Sequence, residues 1–421
     1  MQRLSFKIIS TVSLIFIASS DGLLAAQEPK IRVLLREGKE LSFRADGIRP
    51  LLVRGIDHRK KKIKYLRVLL ENGKLKVFMN RDLENWTKPL NDNYIKLWTR
   101  DPRGVWLGKR RYSGELWLLN TGGTLKVVNH LGIEKYLKSV VGSEMPKDWP
   151  IEALRAQAVA ARTYALNQLK NKPEYDVDSS VSSQVYLGIE SETLSTQKAV
   201  DSTRSLVIMK NGKLIDAVFH SSSGGQTEES VSVWGKHRSY LISVPDYDQN
   251  NPHYKWEKKF SPEKLKEIFF KIGGVNAIRI VDKTRTNRVL KAKIYGPKGS
   301  LRLTGKQIRR VLDLKSTLIK FEMKSMKNSH QNKQKYFQED IPEIKKKEAY
   351  LLLQPPSTSY IYSYPPSIPI PSNDYLLVKG AGSGHGVGMS QWGAKNMAEK
   401  GSNFKRILSH FYKGITITSF E

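Results

Sequence analysis

Leu116-Trp-Leu-Leu-Asn-Thr-Gly-Gly-Thr-Leu-Lys-Val-Val128, continuing through a short helix over Ile133–Val141 into a long helix opening at Pro150, decides the fold class. Two β-prone runs meet at a glycine turn, which is a hairpin signal. Beyond it, Ile151, Leu154, Ala158, Ala161, Ala165 and Leu169 recur at helical spacing, with Pro150 and Glu152 suited to a first turn. A further helix near Glu192–Ser205 precedes a second hairpin, Leu206-Val-Ile-Met-Lys-Asn-Gly-Lys-Leu-Ile-Asp-Ala-Val-Phe-His220, turned by Asn211-Gly212. Hairpins with segregated helices predict an α+β fold and argue against a doubly wound sheet.

Outward from this stretch, residues 31–125 are strand-rich, as in Ile31-Arg-Val-Leu-Leu35 and the Asn72-Gly73 hairpin within Arg67–Phe78. Met326–Asn373 shifts to Lys, Gln, Ser, Tyr and Pro, a composition that builds no packed core. Order is expected to return with a strand at Tyr375–Val378, a glycine loop, a helix from Ser390 to Lys400 stopped by Gly401, and a last helix carrying Phe404, Ile407, Leu408 and Phe411. At the start, Arg3 and Lys7 precede the apolar run Ile8–Ala18 and the small residues Ala25 and Ala26, an export signal with the mature chain beginning near Gln27. The expected organisation is therefore a signal peptide over 1–26, a β-rich accessory region over 27–115, a main domain over 116–325, an insertion over 326–373, and the rest of the main domain over 374–421.

Export redirects the reading of charge. The 421-residue chain has 71 Lys and Arg against 40 Asp and Glu, a net +31, and a field of that size attracts polyanions. Outside the cytoplasm the fitting partners are anionic wall polymers or a membrane surface, and no aromatic-basic element points to nucleic acid. The absence of cysteine excludes disulfides, thiolate nucleophiles and Cys-ligated zinc. His220, His385 and His410 form no H-E-x-x-H or close pair, so no metal and no cofactor is expected. Ser221-Ser-Ser-Gly-Gly225 lacks the spacing of a nucleophile elbow, and Gly380–Gly393 matches neither nucleotide loop.

Two positions carry the chemical argument. Arg162 falls on the apolar arc of the long helix, where an unpaired guanidinium is prohibitive. It must meet a carboxylate, backbone carbonyls or an anionic substrate. Arg155 shares the arc, and for either residue the alternatives are a structural ion pair or a snorkelling side chain. Glu144, in Val140-Val-Gly-Ser-Glu-Met-Pro146 between the two helices, has Met145, Pro146 and Trp149 to wall it from water. Such walls raise a carboxyl toward neutrality, as a general acid requires; the competing role is a helix cap or dipole contact.

These segments together resemble the stage II sporulation protein D family, which includes the LytB amidase enhancers. The resemblance runs through Val127-Val-Asn129, Glu144-Met-Pro146, Glu152–Ala165, Gln184-Val-Tyr-Leu-Gly188, His220-Ser-Ser-Ser-Gly-Gly225, Val233-Trp-Gly235, Leu314-Lys-Ser-Thr317 and Gly384-His-Gly-Val-Gly-Met-Ser-Gln-Trp-Gly-Ala394. It implies a lytic transglycosylase cutting peptidoglycan glycan strands, with Glu144 as acid and base. It also implies that Arg162, Gln184, Tyr186, His220, Ser222, His385, Ser390 and Gln391 line the groove. Where zinc-binding members carry cysteines, this chain has serines at Ser183 and Ser221–Ser223. The other role in the family is a non-catalytic enhancer that presents glycan to an N-acetylmuramoyl-L-alanine amidase.

Overall fold

The computed structural model describes residues 28–56, 61–80, 82–84, 94–169, 172–325 and 374–420. The expected signal peptide and the insertion over 326–373 lie outside the described residues.

Strand Lys30–Gly38 organises the first half. It pairs antiparallel with Thr124–Gly132, Ile31 opposite Leu131 and Gly38 opposite Leu125, and parallel with Val177–Asp178. The resulting sheet continues through Glu115–Thr121, Tyr94–Trp98, Leu51–Arg54 and Lys61–Ile63. A six-stranded sheet runs Arg110–Tyr112, Val105–Leu107, Glu40–Arg44, Tyr65–Glu71, Lys74–Met79 and Asp82–Glu84. Alternation along the strands buries Ile31 and Val33, Leu41 and Phe43, Leu66 and Val68, and Ile95 and Leu97. Strand pairing runs across the expected boundary at 115/116. Strand Thr124–Gly132 joins Lys30–Gly38 to Glu115–Thr121, so the two regions share one sheet and one core.

Helices follow as α1 (Ile133–Glu144), α2 (Ile151–Asn167), α3 (Leu194–Asp201), α4 (Ser230–Trp234), α5 (Pro262–Ile268), α6 (Gly305–Val311), α7 (Gln391–Glu399) and α8 (Phe404–Phe411). Helix α2 is buried almost all round: Ala153, Ala156, Ala158, Ala160 and Ala161 have no exposed surface. Their small side chains let α1, α3, α7 and α8 all pack against it.

The second hairpin is shorter than its sequence pattern. Leu206–Lys210 turns through Asn211-Gly212 into Lys213–Leu214 and stops; its other edge pairs with Thr416–Ser419. Asp216 interrupts the ladder, its N–H donating to the Tyr240 hydroxyl instead. Phe219–His220 form a separate strand parallel to Met389–Ser390, which joins the serine loop to the glycine loop.

A second core contains Trp256, Phe260, Phe269, Ile294, Ile308, Ile319 and Val378. Its sheets are Lys255–Phe260 with Asp374–Ala381 and Ile319–Ser325, and Ala277–Lys283 with Val289–Gly296 and Gly299–Thr304. The chain then rejoins the first core from Val387 to Tyr412. Among the described residues no helix is long and apolar enough to cross a membrane.

Candidate active site

Glu144 is the last residue of α1, so the helix runs three residues beyond the expected Val141. The Met145 N–H closes that end on the Val141 carbonyl, and the half-buried carboxylate projects where the helix dipole is negative. Oε1 accepts the Val185 N–H at 2.7 Å and Oε2 accepts Gln391 Nε2 at 3.1 Å. Burial raises the carboxyl above its usual range, and the two donors pull the other way without cancelling it. Both are uncharged, and no second carboxylate contributes to the shift.

Local packing explains why Val185 lies there. The Ser143 hydroxyl donates to the Ser139 carbonyl at 2.8 Å and accepts the Leu187 N–H at 3.2 Å, fastening the 185–187 strip along α1. A Cβ on Gly142 would sit 1.9 Å from the Ser191 carbonyl oxygen, so that approach requires glycine. The rings of Trp149 and Trp392, the latter next to Gln391, meet edge to face at 5.0 Å.

Of the residues expected to line a groove, the structure brings Gln391 to Glu144. Arg162 is corrected to a structural ion pair. Only 1% exposed, it donates from Nε to Glu134 Oε1 at 2.9 Å and from Nη2 to Oε2 at 2.6 Å, while Nη1 reaches the Leu206 carbonyl at 3.1 Å. Its arc faces the neighbouring helices, and Glu134 on α1 supplies the carboxylate that burial demands. Arg155 pairs with Glu152 at the margin. Gln184 and Tyr186 are also core residues. Gln184 joins the Tyr136 hydroxyl to the Ala161 carbonyl, and the Tyr186 hydroxyl donates to Asn129 Oδ1. The residue between them, Val185, touches Glu144 through its backbone, which no side-chain pattern announces.

His220 and His385 lie one against the other, ring centroids 5.4 Å apart, with Trp234 at 5.2 Å from His385. His220 Nδ1 bonds the Val387 carbonyl at 3.1 Å, and His385 Nδ1 accepts the Val387 N–H at 3.1 Å. Burial holds His220 well below the usual imidazole range and brings His385 down to about 4, so both are neutral at pH 7. Ser390 caps α7 by accepting the Gly393 N–H. Ser222 donates to Asp248 at 2.5 Å.

Asp246 and Asp248 were missed in the sequence. Both are buried beneath the serine loop: Ser223 donates to Asp246 at 2.5 Å, and the Gly224 and Gly225 N–H groups donate to Asp248 at 2.7 and 2.9 Å. The available signal was Val244-Pro-Asp-Tyr-Asp248, in which extended chain puts residues two apart on one side. Among the described residues no group of three or more His, Asp and Glu could hold a metal.

A half-buried glutamate on the last turn of a helix, held between a backbone N–H and a C-terminal glutamine in an α+β fold, defines the candidate site. The chain belongs to the stage II sporulation protein D family. The family profile, described as stage II sporulation protein, matches residues 121–209, which contain α1, α2 and α3. An uncharacterised protein of Brachyspira hyodysenteriae is 31% identical over 324 residues, covering 76% of this chain and 75% of that one. The amidase enhancer of Bacillus subtilis is 31% identical across 68% of this chain, but the match spans only 40% of that protein. Stage II sporulation protein D of Bacillus subtilis is 28% identical across 70% of this chain and 76% of its own.

Proposed function

We propose that this protein is an exported lytic transglycosylase that cuts the MurNAc-GlcNAc bond of peptide-stripped peptidoglycan strands, with Glu144 as acid and base. The observation carrying this reading is the solitary Glu144 carboxyl, raised by burial and balanced between two neutral donors. Hydrolysis by water ordinarily employs two carboxyl groups. One suffices when the sugar's own 6-hydroxyl is the nucleophile. Glu144 protonates the glycosidic oxygen as its bond to C1 breaks. The 6-hydroxyl oxygen then bonds C1 and returns its proton to Glu144, leaving a 1,6-anhydro end and the enzyme unchanged. Trp149 and Trp392 offer aromatic edges for flanking sugars.

Attachment to the wall is a separate task, and the second core supplies a surface for it. Arg279, Lys293 and Arg302 stand directly opposite one another across three adjacent strands, with Lys291 on the same strand as Lys293. Together with the net charge of +31 they suit a polyanion. Retention on isolated sacculi is expected to fall steeply with salt and to weaken in the Arg279/Lys293/Arg302→Ser protein; salt-independent retention would argue for a neutral-sugar site instead.

The likeness to an amidase enhancer favours a second reading, a non-catalytic presenter of glycan to an N-acetylmuramoyl-L-alanine amidase. Glu144→Gln separates the two. Under the enzyme reading, mass spectrometry finds anhydro-muropeptides or anhydro-glycans from the parent and none from the variant, while both bind sacculi. Stimulation of an amidase that survives Glu144→Gln, with no anhydro product from either protein, would establish the enhancer.

A further inference from the structure

We propose that Asp246 and Asp248 are positioning residues for the Glu144 site: joined through one proton, the two carboxyls tie the Ser222–Gly225 loop to the first turn of α7 and so hold Gln391 against Glu144. The inference rests on the reading of Glu144 given above.

The connections are continuous. Asp248 receives the Ser222 hydroxyl and the N–H groups of Gly224 and Gly225. Asp246 receives the Ser223 hydroxyl, the Tyr247 N–H and the hydroxyl of Ser390, the N-cap of α7. The α7 backbone passes so close to Asp246 that a Cβ on Gly393 would lie 1.9 Å from its Oδ1. The next turn of the same contact is held by the Trp392 N–H, which donates to the Ser221 carbonyl. Gln391 sits between Ser390 and Trp392, so its reach to Glu144 is set by what Asp246 and Asp248 hold on either side.

Two carboxylates cannot both ionise there cheaply, and a shared proton removes the repulsion. Desolvation, followed by the neighbouring Asp248, pushes Asp246 up to about 7. The charged and titratable groups facing the pair are Arg288, whose guanidinium donates to the Ser223 carbonyl at 2.5 Å, and Tyr254. Neither donates a hydrogen bond to the two carboxylates. Burial brings Arg288 down to about 10, so it stays charged at pH 7 and attracts both carboxylates, yet desolvation and the neighbouring Asp248 still leave Asp246 raised. As pH climbs past 7 the shared proton is lost, the two charges repel, and the latch on Ser390 and Ser223 loosens.

The test uses the full chain with two readouts. In the first, anhydro-product formation is measured from pH 5 to 9 for the parent, Asp246→Asn and Asp246→Ala. The neutral amide keeps a donor toward Asp248 and one acceptor oxygen for the serine hydroxyls. Asp246→Ala is expected to lose at least tenfold in turnover at every pH, and Asp246→Asn to recover most of that loss and move the alkaline limb up by more than one pH unit. In the second, amide hydrogen exchange at Ser223–Gly225 and Trp392–Gly393, corrected for intrinsic rates, is expected to lose protection above pH 7 in the parent and not in Asp246→Asn. An alkaline limb unchanged by Asp246→Asn, or exchange that does not respond to pH, overturns the proposal. Pulled apart from turnover, the exchange readout still decides the latch if Glu144 proves not to cut glycan.

Discussion

Arg162→Ala offers the sharpest test of the distinction between a core ion pair and a substrate ligand. The guanidinium places two of its nitrogens on Glu134, at 2.9 and 2.6 Å, and adds backbone carbonyls at 3.1 and 3.4 Å. Removing it leaves the Glu134 carboxylate buried, with the Ser205 N–H still donating to it at 3.3 Å. Breaking a buried pair from one side costs about 3–5 kcal/mol. That is a large part of the ~5–15 kcal/mol that holds a domain folded. Arg162→Lys restores charge without the planar fork and should recover only part of the loss. Replacing both partners, as Arg162→Leu with Glu134→Leu, removes the orphaned charge, so the double variant should be more stable than the sum of the singles allows. Urea unfolding followed by tryptophan fluorescence, with glycan cleavage measured on the same preparations, gives both quantities. An Arg162→Ala protein within about 1 kcal/mol of the parent that has nevertheless lost cleavage would refute the reasoning and return this residue to the substrate.

Three further outcomes are expected. Because the folded Glu144 carboxyl is raised, its ionised form weighs against folding above that value and not below the ordinary range. Glu144→Gln should therefore melt at or above the parent at pH 8, with the difference closing as pH falls to 4; a lower melting point at pH 8 would contradict the desolvated site. Gly142→Ala drives a methyl into the Ser191 carbonyl, so a loss of about 1–3 kcal/mol is expected, with cleavage lowered because the 185–187 strip moves off Glu144. Replacing residues 326–373 by Asn-Gly should leave the melting point within a few degrees of the parent, since the flanking strands are already in register up to Ser325 opposite Asp374; a large drop would show that the insertion packs on the core.

The sequence made the strands, the helices and Glu144 legible because each depends on near neighbours. Period-two burial in Ile31–Leu35 and 3.6-residue spacing from Ile151 are written locally. The pairing of Lys30–Gly38 with Thr124–Gly132 is not, because it joins segments nearly a hundred residues apart, and so the boundary at 115/116 looked real. Arg162 shows the same limit in a side chain. Its position on a buried arc demanded a partner, but whether Glu134 or a ligand would meet it depends on how α1 crosses α2. Between Gln184 and Tyr186, the contact to Glu144 is made by the Val185 backbone, which has no side-chain signature.

The Glu144 site draws on chain segments that separate early and reunite late. Its carboxyl comes from α1, its first donor from residue 185 and its second from residue 391, with the whole second core threaded between the last two. Gln391 follows directly on Met389–Ser390, which pairs with Phe219–His220, and opens α7, which packs on α2. Acidity at Glu144 is therefore conditional on completed tertiary structure. Without the C-terminal segment the carboxyl loses the Gln391 donor, which pulls it down, and the covering chain whose burial of it pulls it up further. A chain ending before Gly380 would keep Glu144 but lose α7 and α8, which pack on α2, and the amide that holds the carboxylate, so neither the burial nor the position of that carboxyl would be complete.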